Sequence, residues 1–209
     1  MMEHPEESMP EHKGGTAVDV EESIAFASTG EAQTFFQQLK ERLLHINHWH
    51  SHAGLLSADF VLTDKEGNEV ERTPQEGDHF RISVPAPGIQ SGHGYDWVRI
   101  EEITEVAEEV DECTSIRVRP AQNPRGEKDD VAHFYTDEAT SNFIIKRKGN
   151  RVTAGVYGRN EKPNVEAAEG LLDKVRNAFV GTGGVAAFSK LQWKALAKGL
   201  LKTEEKNSD

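Results

Sequence analysis

The chain has one cysteine, Cys113, in 209 residues, so no internal disulfide can form and no cysteine-based zinc cluster can be built. That scarcity makes the cytoplasm the expected compartment. No stretch approaches the roughly 18 apolar residues of a membrane span, so none is expected. The first residues are acidic and polar, without the basic start and apolar run of a signal peptide or the character of a transit peptide. Basic charge is also short: 24 Lys and Arg against 36 Asp and Glu leave a net charge of −12. Non-specific nucleic-acid binding needs a positive footprint to displace counterions, so nucleic acid is not an expected partner. Nucleophilic motifs are missing as well. Ser91 lies in Gln90-Ser91-Gly92 without the Gly-x-Ser-x-Gly elbow, and Cys113 follows a run of acids that disfavours its thiolate. What remains, 36% apolar and 29% charged residues, is the make-up of one globular domain.

The strongest local signal is a helix beginning at Ser28. Ser28-Thr29-Gly30-Glu31 is a capping box, and Ala32, Phe35, Phe36, Leu39, Leu43 and Ile46 recur at the spacing of one helical stripe. The stripe runs into His45, His48, Trp49, His50 and His52, where four of the nine histidines fall within eight residues, and Gly54 is a natural stop.

Ahead of it, residues 1–15 carry almost nothing to bury and are expected to be a disordered acidic N-terminus. Thr16 to Phe26 reads as a strand with a break near Glu21-Glu22. Behind it the period changes to that of strands. Ala58–Thr63 and Glu69–Arg72 flank a Gly67 hairpin, His79–Val84 alternates, and Pro85-Ala86-Pro87-Gly88 ends that strand. After a glycine-rich loop, Tyr95–Ile100 and Thr114–Arg119 read as strands, as does Val131–Thr136. Asn142–Lys148 and Arg151–Tyr157 flank Gly149-Asn150, the clearest hairpin of the chain. Gly155 and Gly158 on its return arm suggest a bend or a close approach. Asn164 caps a helix with Ala168, Leu171, Leu172, Val175 and Phe179 as its stripe. A last helix carries Trp193, Leu196, Ala197, Leu200 and Leu201, and residues 203–209 are a solvated tail.

The expected fold is therefore α+β: a single domain over 16–202, with one curved antiparallel sheet of about seven strands. The sheet packs against a long C-terminal helix, with an N-terminal helix and an extra terminal helix. Ser23-Ile24, the Phe35/Phe36 helix, His48-Trp49, Gly77-Asp78-His79-Phe80-Arg81 and the Asn164–Phe179 helix follow one another in an order that resembles the helix-grip fold of the START/polyketide-cyclase superfamily. The resemblance implies a sheet wrapped on the C-terminal helix with an apolar cavity between. It also implies a hydrophobic small molecule as the usual ligand, with cyclases or hydrolases a minority.

Three candidate sites stand out. His45 and His48 share a face if helix persists, whereas His48, His50 and His52 project to one side if the segment is extended. Either arrangement could offer two or three imidazoles to zinc or a similar metal. The alternative is a helix C-terminus where imidazoles meet the last carbonyls and Trp49 covers the core. The loop Gly92-His93-Gly94-Tyr95-Asp96-Trp97 sets His93 and Asp96 beside two aromatics, as acid/base partners, as a ligand lid or as an anchored turn. Arg159, in Tyr157–Asn164, is placed to meet an anion at a helix start or to pair with Glu161. His133 is a further candidate ligand. The basic cluster Lys146-Arg147-Lys148 with Arg151 reads as solvated turn chemistry.

Three functions follow. The first is a non-catalytic cytoplasmic protein binding a hydrophobic or aromatic small ligand, with His93, Tyr95, Asp96, Trp97, Trp49 and Arg159 as contacts. The second is an interaction or homo-oligomeric assembly module that uses an exposed Trp193–Leu201 stripe, with Glu101–Glu112 (seven acids, no base) selecting a basic partner. The third is a metal-dependent protein built on His45, His48, His50 and His52.

Overall fold

A computed structural model describes residues 9–54, 58–83, 96–126, 135–162 and 185–203, with backbone alone for 185–189. The elements are β1 (Thr16–Ala25), α1 (Thr29–Leu44), a 3-10 turn (Ile46–His48), α2 (Trp49–Ala53), β2 (Asp59–Thr63) and β3 (His79–Ser83). Then come β4 (Asp96–Ala107), β5 (Asp111–Pro120), β6 (Thr140–Lys148), β7 (Arg151–Glu161) and α3 (Val185–Leu200). The seven strands form one antiparallel sheet in the order β1-β7-β6-β5-β4-β3-β2. From β2 to β7 the chain meanders between neighbours, but β1 sits at the far edge beside β7. The chain between β1 and β2 therefore has to cross the sheet, and α1 and α2 make that crossing over one face. This is the expected α+β architecture.

Strand alternation decides which side chains the helices cover. Phe60 and Leu62, Phe80 and Ile82, Val98 and Ile100, Ile116 and Val118, Phe143 and Ile145, and Val152, Ala154 and Val156 share the covered face. The α1 stripe of Ala32, Phe35, Phe36, Leu39 and Leu43 is buried against them. The Ser28 cap forms as read: its hydroxyl accepts from the Glu31 amide at 3.2 Å, while Glu31 accepts from the Ala27 amide. The centre of this face is aromatic. Trp49 lies 4.7 Å from Phe143, 5.3 Å from Phe60 and 5.8 Å from Phe80, ring centre to ring centre. Its indole donates to the Leu43 carbonyl at 3.0 Å, so the ring is buried without an orphaned polar atom. Trp193 of α3 adds to the cluster, 5.3 Å from Phe143. Gly199 lets α3 lie on α2, because a Cβ there would fall 1.9 Å from the His52 carbonyl oxygen.

Several expectations shift. β1 runs unbroken through Glu21-Glu22. The Glu69–Arg72 return is only a bridge from Glu69 to Thr63, and β2 pairs with β3 instead. The physical reason is that Asn47, from the 3-10 turn, accepts from the Leu62 amide and donates to the Val70 carbonyl, holding the two segments together through a side chain. The acidic run Glu101–Glu112 is mostly strand. Glu101 pairs with Arg119, Glu102 with Arg117, Glu105 with Lys40 and Glu112 with Arg147. Arg147 is thus fully buried rather than solvated turn chemistry, its other donors taken by the Val110, Gly149 and Glu109 carbonyls. Gly149 supplies the φ of +58° that the β6–β7 turn needs. Gly155 lies under the Tyr157 ring, within 2.7 Å of where a Cβ would stand. Residues 11–15 are not loose: they bond to the end of β7, as described below. The strand read at Val131–Thr136 falls largely outside the described residues, and the Asn164–Phe179 helix entirely so. Among the described residues no helix is long and apolar enough to cross a membrane.

Candidate functional site

The end of β7 departs from regular alternation. Thr16 pairs with Glu161 but Val18 pairs with Gly158, so one residue of β1 opposes two of β7, which is a bulge. Asn160 within it has φ +57°, a left-handed conformation that asparagine tolerates better than most residues. The bulge turns Glu161 onto the helix-covered face beside Gly158. Its carboxyl stands where a Gly158 Cβ would be, with Oε1 only 2.1 Å from that position, so the glycine is required by the carboxyl.

The N-terminal segment holds the bulge. Lys13 and Gly14 amides donate to Asn160 Oδ1 at 2.6 and 3.3 Å, Asn160 Nδ2 donates to the Glu11 carbonyl at 3.1 Å, and the Asn160 amide donates to His12 Nδ1 at 3.4 Å. Met9 packs on the other face against the group of Val106, Cys113, Ile144 and Tyr157.

Glu161 lines a cavity of about 40 Å³ between the sheet and α3. The apolar walls are Ile82, Val98, Val118, Pro120, Phe143 and Trp193, and the polar lining is Asp96, Tyr135, Thr140, Ser141 and Glu161. Thr140 Oγ1 and Glu161 Oε2 are buried and have no hydrogen-bond partner among the described residues. A buried polar atom without a partner costs about 1–3 kcal/mol, so a fold that keeps two in one cavity leaves bonds for something else to make. Glu161 is 2% exposed, and burial pushes its carboxyl up to about 7. The Tyr135 hydroxyl and the Arg159 charge pull the other way without overcoming it. The carboxyl therefore changes charge near neutrality.

The histidines divide. α1 ends at Leu44, where His45 leaves helical geometry at φ −97°, ψ 70°. His45, His48 and His52 then line one open groove together with Glu41 and Arg42, while His50 lines another and sits against the Asn47 carbonyl. The His45 and His48 rings meet edge-on at 5.9 Å. Burial holds His52 below the usual imidazole range, and the positive charges of Arg42, His48 and His50 act the same way. A neutral imidazole suits a metal, but a guanidinium in the same groove opposes a cation. Among the described residues no group of three or more His, Cys, Asp or Glu is placed to hold an ion.

The remaining expected contacts separate too. Trp49 is buried in the aromatic core and faces no open space. Asp96 lines the cavity, but Trp97, its neighbour in the strand, faces the other side of the sheet opposite Arg81. Arg159 is tied to Asp19 at 2.5 Å and to its neighbouring carbonyl, an ion pair that secures the β7 end with an Asp rather than with Glu161. His93, Tyr95 and His133 lie outside the described residues. The reading by sequence missed Glu161, Tyr135 and Thr140. The available signal was an asparagine two residues after a glycine inside a strand, a pattern that marks a bulge and a reversal of facing.

No family model matches the chain, and no curated protein matches its sequence. Among solved structures, a hypothetical protein from Helicobacter pylori aligns over 93% of this chain and 96% of its own, at 11% identity and a TM-score of 0.47. Norcoclaurine synthase from Thalictrum flavum, solved with dopamine and hydroxybenzaldehyde, aligns over 91% of this chain and 89% of its own, at 11% identity and a TM-score of 0.34. Likeness at this level leaves the functional reading to the chain's own geometry.

Proposed function

We propose that this is a non-catalytic, cytoplasmic protein of the helix-grip kind that binds a small hydrophobic or aromatic ligand between its sheet and α3. The observation that carries the reading is the cavity beside Trp193, whose walls are aliphatic and aromatic and whose far end holds two buried oxygens without a partner among the described residues. A space of about 40 Å³ admits a polar group of a ligand but not a ring. The apolar body of the ligand takes the place of the Trp193 ring, which is only half-buried and leans on Phe143 and Phe60. The assembly reading needs an exposed stripe on the last helix. Leu196, Ala197 and Leu200 of α3, with Leu201 just past its end, are buried.

The test is thermal shift and tryptophan fluorescence against a panel of small aromatic alcohols, phenols, amines and acids. Binding raises the melting temperature and changes the Trp193 emission, and Trp193→Phe abolishes the second signal while keeping the first. A panel without any stabilising member refutes the reading.

A further inference from the structure

We propose that the polar end of the cavity receives an ammonium group, so that the ligand is a small primary or secondary amine on an apolar or aromatic body. The inference rests on the ligand-binding reading above and names its ligand class. The polar lining offers two carboxyls, Asp96 and Glu161, and the hydroxyls of Tyr135, Thr140 and Ser141, with no Lys, Arg or His among the described lining residues. A carboxylate only accepts hydrogen bonds, and a hydroxyl can accept while it donates. A group that brings donors and positive charge therefore suits Glu161 Oε2 and Thr140 Oγ1, which have no partner among the described residues. Glu161 Oε2, buried and without a partner among the described residues, is the acceptor left open.

The cations nearby are committed elsewhere, Arg159 to Asp19 and Lys162 to Glu138. The Phe143 ring completes the preference, since an aromatic face attracts a cation. An anionic ligand would meet the buried Glu161 carboxyl in a space of low dielectric, where like charge discriminates strongly. The proton balance is simple. Where Glu161 holds a proton, an incoming ammonium displaces it to solvent and leaves a carboxylate–ammonium pair, consistent with a carboxyl that titrates near neutrality. Asp96 and Tyr135 are the other titratable groups in the cavity, Arg159 is the cation acting on Glu161, and His12 bonds to Asn160 behind it.

The test uses three probes with one body, benzylamine, benzyl alcohol and benzoate, by titration calorimetry in two buffers of different ionisation enthalpy. Benzylamine is expected to bind about ten-fold or more tighter than benzyl alcohol, benzoate not at all. Benzylamine binding releases protons near pH 7 and tightens from pH 5 to pH 8. Glu161→Gln loses that advantage while circular dichroism shows the fold kept, and Thr140→Val weakens binding without removing the proton release. Benzyl alcohol binding as tightly as benzylamine, or benzoate binding best, overturns the amine class and leaves the cavity reading standing. If all three fail and no neutral aromatic shifts the melting temperature either, both fall.

Discussion

Two glutamates are buried on this sheet, and the protein treats them in opposite ways. Glu112 is 7% exposed and meets the fully buried Arg147 at 2.5 Å, and its second oxygen accepts from Gln37 at 2.9 Å. Glu161, 2% exposed, has a bulge, a glycine and an N-terminal strap arranged to place it, yet one of its oxygens has no partner among the described residues. A satisfied buried pair locks structure, whereas an unsatisfied buried acid is a cost that a fold carries for another purpose. The contrast separates a satisfied buried pair under α1 from the proposed ligand end beside α3.

The comparison can be broken at either glutamate. The largest effect is expected from Arg147→Ala, which strands Glu112 without its cation and removes three carbonyl contacts. Unfolding by denaturant should show a loss of about 3–5 kcal/mol. Next is the pH dependence that Glu161 imposes. Its folded pKa, about 7, lies above the ordinary 4.5, so the folded state binds the proton more tightly and stability falls as pH rises from about 4.5 to about 7. Above that window the cost is fully present, about 3 kcal/mol at 1.36 kcal/mol per unit. Glu161→Gln should flatten this fall between pH 5 and pH 8, and Glu112→Gln should leave it in place.

Gly158→Ala sharpens the comparison by pressing a methyl onto the Glu161 carboxyl. A loss of about 1–3 kcal/mol is expected, most of it recovered in the double variant with Glu161→Ala. The smallest effect is that of deleting residues 1–13, which removes the bonds from Glu11, His12 and Lys13 to Asn160. It should cost about 1 kcal/mol and lower the Glu161 midpoint by letting water reach the carboxyl.

What the sequence made legible was local. The capping box and the six-residue stripe of α1 need only their own neighbours, and the β6–β7 hairpin needs only Gly149-Asn150. The seven-stranded sheet followed from alternation and turns. The site did not, because its parts are non-local or change period. Strand periodicity would put Glu161 outside, and only the Asn160 bulge reverses it. Asp96 and Trp97 look like one loop cluster as neighbours, but the pleat sends them to opposite faces. The histidines look like one cluster until α1 breaks at His45 and turns His50 away. The partners of Glu102, Glu101 and Glu112, namely Arg117, Arg119 and Arg147, lie on the neighbouring strand, out of reach of a reading along the chain.

The most direct test of the account is the titration of the Glu161 side-chain carboxyl by NMR on the full chain, assigned by its loss in Glu161→Gln. A midpoint near 7 that falls when benzylamine is added is the predicted result. A midpoint in the ordinary carboxylate range near 4.5, unmoved by benzylamine, would show a solvated side chain and contradict the account.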